Sequence, residues 1–124
     1  PAEVEEKIAR VDDAVGAVRS AREEGIVAGG GMALLSAIDK LELDEVTKKS
    51  ISAPYRKILE NAYYKPETLP QYPNGYDVKN FKEVNMFDAG IIDAKKVVKN
   101  ALINSISASN TLLRSANVLT YKNK

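Results

Sequence analysis

Two short stretches hold most of the residues that could do chemistry. One is the acid pair Asp12-Asp13 inside a charged, periodic segment. The other is Gly29-Gly30-Gly31, which follows Ile26-Val27-Ala28 and leads into Met32-Ala33-Leu34-Leu35. Three glycines before a helix let the backbone come close to a ligand because no Cβ stands in the way. The unpaired N–H groups and positive dipole end of the following helix suit an anionic ligand such as a nucleotide. No Gly-Lys-Ser/Thr follows, so this is not a Walker loop. A glycine triplet in this place is also an ordinary loop, and adjacent acids on an amphipathic helix usually face water. The functional reading of Asp12-Asp13 is that one carboxylate orients a water for attack on a phosphate.

The rest of the composition narrows the choice. The chain has 124 residues, one ordinary domain by length. It has no cysteine and no histidine, which removes thiolate metal sites, disulfides, histidine general bases and Ser-His-Asp triads. Chemistry must then run on carboxylates, lysines, hydroxyls or backbone amides. The net charge of +1 supplies no field for a nucleic acid or an anionic membrane surface. No apolar run approaches the ~20 residues of a membrane span, and the N-terminus lacks a signal-peptide pattern, so the expected compartment is the cytoplasm. The chain starts at Pro1 rather than Met, as initiator removal or a cut from a longer protein would both produce.

The elements that must position these residues are mostly helical. Val4, Ile8, Val11, Val15 and Val18 recur at steps of four and three, predicting a helix over 3–22 that ends at Gly25. A second helix runs through Met32, Leu34, Leu35, Ile38 and Leu41, and a third from about Asp44, kinked or broken at Pro54. Pro66, Pro70 and Pro73 mark a loop from Lys65 to Asn74. Gly75 to Val84 reads as a hairpin turning at Lys79-Asn80. Asp93 is a good N-cap type for a long helix whose packed face would use Val97, Val98, Ala101, Leu102, Ser105, Ser109, Leu112 and Leu113. Val118 to Tyr121 suggests a short terminal strand. The expected class is mostly α, with a small β hairpin and that terminal β-strand.

Taken together, the segments resemble a known family. The stretch AEVEEKIARVDDAVGAVRSAREEGIVAGGGMALL, from Ala2 to Leu35, is similar to the group I (GroEL-type) chaperonins, whose pattern is AEVE-x-K-x-x-RV-[DE]-DA followed by EEG-[VI]-VAGGG-x-AL. Ala53-Pro54-Tyr55-Arg56 resembles the family's AP-[LY]-R, Asn74-Gly75-Tyr76-Asp77 its YGYN, and Met86 to Asp93 its M-x-D-x-GI-[IL]-DP. The resemblance is dense in the first third and sparser afterwards. It implies that residues 1–24 are a helix of the intermediate hinge domain. Residues 25–124 would be the C-terminal half of the helical equatorial, ATP-binding domain. It implies that Asp13 activates the hydrolytic water and that the Gly30 backbone lies against the nucleotide. Asp77, Val78 and Lys79 would contact adenine, and Asp93 the ribose.

The resemblance further implies ATP with magnesium as ligand of the complete protein, with the magnesium ligand outside this chain. Identical subunits in a ring, non-native client proteins and a co-chaperonin would be partners, and nucleic acid and membrane would not. The Asn117–Tyr121 segment would add a strand to a neighbouring subunit. The chain departs from the family in several places. Asp77 stands where the family has Asn, and a carboxylate accepts but does not donate. Ala94 replaces the Pro after the ribose acid. Lys65 stands where the family tends to be acidic, against a ring-to-ring salt bridge with an arginine such as Arg56. The segment between Pro66 and Tyr76 is short, so one family helix is expected to be lost. The phosphate loop, magnesium motif and client-binding domain have no counterpart in these residues, so the chain alone is expected to hold half an ATP site and to be inactive. The alternative is a stand-alone, divergent helical module with a structural or assembly role and no ATPase activity.

Overall fold

A computed structural model describes residues 1–122, with side chains as far as residue 116. Five helices and two two-stranded antiparallel sheets follow one another in the order α1 (Ala2–Glu24), β1 (Ile26–Ala28), α2 (Met32–Ile38), α3 (Glu45–Ile51), α4 (Ala53–Asn61), β2 (Asn74–Asp77), β3 (Lys82–Asn85), β4 (Ile92–Ala94) and α5 (Lys95–Lys122). The mostly helical class and the hairpin are as the sequence implies. No helix among the described residues is long and apolar enough to cross a membrane.

Local chemistry sets most boundaries. α1 opens with Glu3 and Glu5 and closes with Arg22, which complements its dipole, and it stops at Gly25 with φ 89°. Asp44 caps α3: its carboxylate accepts from Thr47 N at 2.7 Å and from Thr47 Oγ1 at 3.1 Å. Those bonds hold the Asp44 carboxyl below its ordinary value. Pro54 breaks the helical run as expected. It does so by sitting in the first turn of α4, where its missing N–H costs nothing, so the interruption falls at Ser52. Arg56 Nη2 then donates to Lys49 O at 2.7 Å, satisfying a carbonyl at the end of α3. No helix or strand forms between α4 and β2, as the prolines predict.

The sheets are of two kinds. β2 and β3 form the expected hairpin, with Asn74 opposite Asn85 and Asp77 opposite Lys82. β1 and β4 pair across the chain, Val27 opposite Asp93. Gly29 N donates to Ile91 O at 2.8 Å and Lys95 N to Gly25 O at 3.0 Å, extending that ladder at both ends. The core sits between these sheets and α2 and α4. It consists of Ala28, Met32, Tyr55, Leu59, Tyr76 and Met86, with Leu35, Tyr64, Val78, Val84 and Ile91 packed against it. Burial pushes the Tyr55 hydroxyl up to about 12. Tyr64 meets the rings of Tyr76 and Phe81 edge-on at 5.5 and 5.4 Å. The Tyr76 hydroxyl donates to Thr68 O at 2.5 Å, which ties the proline-rich loop to the hairpin.

Three expectations fail. The terminal strand is absent: α5 continues through Val118–Tyr121 to Lys122. A lone strand has no ladder for its N–H and C=O groups, whereas a helix satisfies them within itself. Asp93 is not an N-cap, because it lies inside β4 and the chain passes from Ala94 directly into α5. The α5 face expected to pack is covered only near its start: Val98 and Leu102 are half-buried, whereas every side chain from Ile103 to Ala116 is exposed.

The apolar stripe of α1 behaves likewise. Val4, Ile8, Val11, Val15 and Val18 are 51–62% exposed. At about 100° per residue, Asp13, Ala17, Ser20 and Glu24 fall on the opposite side of the helix. That opposite side meets the rest of the chain. Lys99 Nζ donates to both Glu24 carboxylate oxygens at 2.7 Å, and Lys96 pairs with Glu23.

Glycine requirements separate cleanly in this fold. Gly31 has φ 79°, and a Cβ there would lie 2.7 Å from Tyr55 N, so Gly31→Ala is expected to destabilise the core by about 2–4 kcal/mol. Gly16, within α1, has nothing within 4 Å of such a Cβ, and Gly16→Ala is expected to stabilise that helix by about 0.5–1 kcal/mol. Urea unfolding followed by circular dichroism would show opposite shifts.

Candidate functional site

A cleft of ≈ 500 Å³ opens where α1, the glycine triplet, α4, β4 and α5 converge. Ala17 of α1, Gly30, Pro54 of α4, Asp93 of β4 and Val97 of α5 are among its walls. Each arrives by a different local rule. Ala17 is small and lies on the face of α1 turned toward α5. Gly30 adopts φ 65°, a backbone conformation that favours glycine, and a Cβ there would lie 2.8 Å from the flexible end of Met86 at Cε. Asp93 is delivered by its pairing with Val27, which fixes β4 against β1.

Asp93 is the one ionisable group in the walls. Its carboxylate has no hydrogen bond or ion pair among the described residues. Partial desolvation by the surrounding walls raises its pKa above the ordinary 3.8. A carboxylate held this way, facing a largely apolar cleft with glycine backbone at its rim, suits a flat apolar ligand that also presents hydroxyl donors. A cleft of this size lies within the usual range for small-molecule sites, about 300–1,000 Å³. Among the described residues, no lysine or arginine lines it.

The other residues singled out by the sequence lie at different distances from this cleft. Asp13 sits one helical turn before Ala17 on the same face of α1. It is exposed and has no hydrogen bond or ion pair among the described residues. Asp77, Val78 and Lys79 form the end of β2 and the hairpin turn and are not part of the cleft wall. The Asp77 carboxylate is occupied within the turn. It accepts from Asn80 Nδ2 at 2.6 Å, from Lys79 N at 3.0 Å and from Asn80 N at 3.3 Å. The Asn80 side chain, followed by burial working the other way and then the Lys79 and Asn80 amides, leaves its carboxyl below the ordinary 3.8. Val78 packs against the core and Lys79 is exposed. Gly75, two residues before Asp77, would place a Cβ 2.8 Å from Met32 Cγ and 2.9 Å from Met86 Sδ, so the foot of the hairpin and the back of Gly30 share Met86.

The helix after the triplet is seven residues long. Its dipole is correspondingly small, and the Gly29 N–H is already spent on Ile91 O. The anion cradle expected from the glycines is therefore weaker than the motif suggests. Close packing explains Gly30 and Gly31 as well as ligand approach does. The walls supplied by Ala17, Pro54 and Val97 escaped the sequence reading. Ala17 had a signal, since it follows Asp13 by four residues. Val97 had none, because its place depends on the β1–β4 pairing. No group of three or more metal-ligating side chains occurs among the described residues. No family model matches the chain.

The two carboxylates carry opposite pH signatures. The folded pKa of Asp77 lies below its unfolded value, so its contribution to stability is present above about pH 4 and fades as pH falls through the folded value. Asp77→Ala should therefore be less stable than the parent at pH 7, with the gap closing in acid. The folded pKa of Asp93 lies above its unfolded value, so its charge opposes folding at neutral pH. Asp93→Asn should be more stable than the parent at pH 7, and this gap should also close below about pH 4. Thermal unfolding at several pH values measures both.

Proposed function

We propose that this chain is part of an ATP-driven, group I chaperonin-like protein that encloses and refolds non-native polypeptides. In this reading it supplies the nucleoside side of an ATP site. The observation that carries the reading is the meeting of Gly30 and Asp93 in one cleft with the α1 face that bears Asp13. These residues are distant in sequence, and the resemblance assigns all three to one nucleotide.

The chain's own groups fit part of that ligand. The apolar walls suit a base, and the unpaired, partly desolvated Asp93 suits a hydroxyl donor such as a ribose. The Gly30 backbone allows close approach. The groups present do not fit the triphosphate and its magnesium, since the cleft wall offers no cation for phosphate and the described residues form no carboxylate cluster for a metal. Bound ATP supplies the free energy of its hydrolysis. Asp13 would orient the attacking water only when a phosphate group is held beside α1 by other residues. The hinge assignment of residues 1–24, a ring of identical subunits, a co-chaperonin and a cytoplasmic setting belong to this same proposal. The Asp77–Lys79 contact with adenine is its weakest part, because the Asp77 carboxylate is engaged in the turn.

A stand-alone helical module with an assembly role and no ATPase activity is the second reading. It is favoured by the uncovered apolar faces of α1 and α5. Titration of the isotope-labelled chain with ATP and AMP, followed by amide NMR shifts, separates the two. The chaperonin reading expects both nucleotides to shift Gly30 and Ile92 to Ala94. Asp93→Ala should weaken binding about tenfold or more, while Asp13→Ala leaves affinity unchanged. It also expects no phosphate release in a steady-state assay. Absence of nucleotide-dependent shifts at the cleft, or turnover that disappears in Asp13→Ala, would overturn this half-site reading.

A further inference from the structure

The walls of the cleft decide what can be read in a ligand. Leu34, Pro54, Ile58, Val97 and Val98 present hydrocarbon to it. Among the described residues that line it, Asp93 alone carries a side chain able to hydrogen-bond. Hydrocarbon walls respond to the area and flatness of a ligand. They do not respond to the order of donors and acceptors along its edge.

The hairpin turn is the other place where a base edge would be read, since the resemblance puts Asp77, Val78 and Lys79 beside adenine. Its polar groups are already paired with one another. Lys79 N and Asn80 N both donate to Asp77 Oδ1, at 3.0 and 3.3 Å, and Asn80 Nδ2 donates to Asp77 Oδ2 at 2.6 Å. Reading a base with these atoms exchanges one hydrogen bond for another, which supplies little net affinity. None of the three residues lines the cleft. The magnitudes at stake are large. A site that hydrogen-bonds one edge rejects the wrong edge by about 10⁴-fold or more, whereas an apolar pocket separates ligands about 10–200-fold for a methylene of added or missing surface.

We infer that this chain's half of the site takes purine nucleotides as a class, accepting adenine and hypoxanthine alike and disfavouring the smaller pyrimidines. The second ring of a purine buries more apolar surface against the walls. The base edge, where the two purines differ, meets no side chain placed to read it. Asp93 is left to a hydroxyl donor of the sugar, which both purine nucleotides share. This inference rests on the proposal that the cleft takes a nucleotide, and it departs from the adenine contact that the resemblance implies for residues 77–79.

Titration of the isotope-labelled full chain with AMP, IMP and CMP, followed by amide NMR shifts, is the test. AMP and IMP carry the same ribose and phosphate and differ only at the base edge. Both should shift Gly30 and Ile92 to Ala94, with Kd values within about threefold of each other, and CMP should bind about threefold or more weakly. Asp93→Ala should weaken AMP and IMP by the same factor. A larger preference for either purine, or an Asp93→Ala effect on one purine alone, shows that the edge is read. Either result overturns the inference and leaves the nucleotide reading standing. CMP binding as tightly as AMP overturns the purine preference. Absence of shifts at the cleft with all three ligands overturns the nucleotide reading itself, and this inference with it.

Discussion

The fold turns on the close approach of three parts of the chain at Gly30 and Gly31. A Cβ at Gly30 would meet the flexible end of Met86 and one at Gly31 the backbone of Tyr55, and the second contact leaves no room for a side chain. With left-handed φ at both positions, the chain reverses from β1 into α2 within a few residues and brings α4 against the sheet. Ala28 and Met32 flank this reversal and are buried almost completely. The same reversal exposes Gly30 backbone to the cleft. Core packing and the candidate site therefore draw on one stretch of backbone, and substitution there affects both.

Asp77 and Asp93 show how the same side chain is given different work by its surroundings. Asp77 is saturated by turn donors and strengthens a hairpin. Asp93 is exposed and has no donor among the described residues, and partial desolvation holds its carboxyl above the ordinary value. Carboxyls with shifted pKa values that sit in a cleft are candidates for ligand contact. That contrast makes Asp93 the more informative of the two residues, although the sequence motif names both.

The local elements were legible from the residues. The 3.6-residue periodicity, Gly25, the Asp44 cap, Pro54 and the proline-rich loop each act within a few positions, and each helix or turn forms where they point. What was not legible depends on partners far away in the chain. Ile26-Val27-Ala28 becomes a strand only because Ile92 to Ala94 pairs with it, and that pairing moves Asp93 out of a helix cap and into a sheet. The α1 stripe gives the helix but not the direction it faces. Ion pairs from Glu23 and Glu24 to Lys96 and Lys99, with small residues at Ala17 and Ser20, turn the opposite side toward α5. For the candidate site, the sequence motifs named Gly30, Asp93 and Asp13, while the apolar walls emerged only from the packing.

α1 meets the remainder of the molecule along its C-terminal part, through Gly25, small residues such as Ala17 and Ser20, and two ion pairs that salt would screen. Its 23 residues extend ~34 Å from that joint. The arrangement is a lever with its fulcrum beside the cleft. A tilt of about 10° at Gly25 displaces the far end by about 6 Å, while Asp13, near the middle of the rod, moves about half as far. By geometry alone, a small tilt at Gly25 amounts to a displacement the size of a helical turn at Ala2.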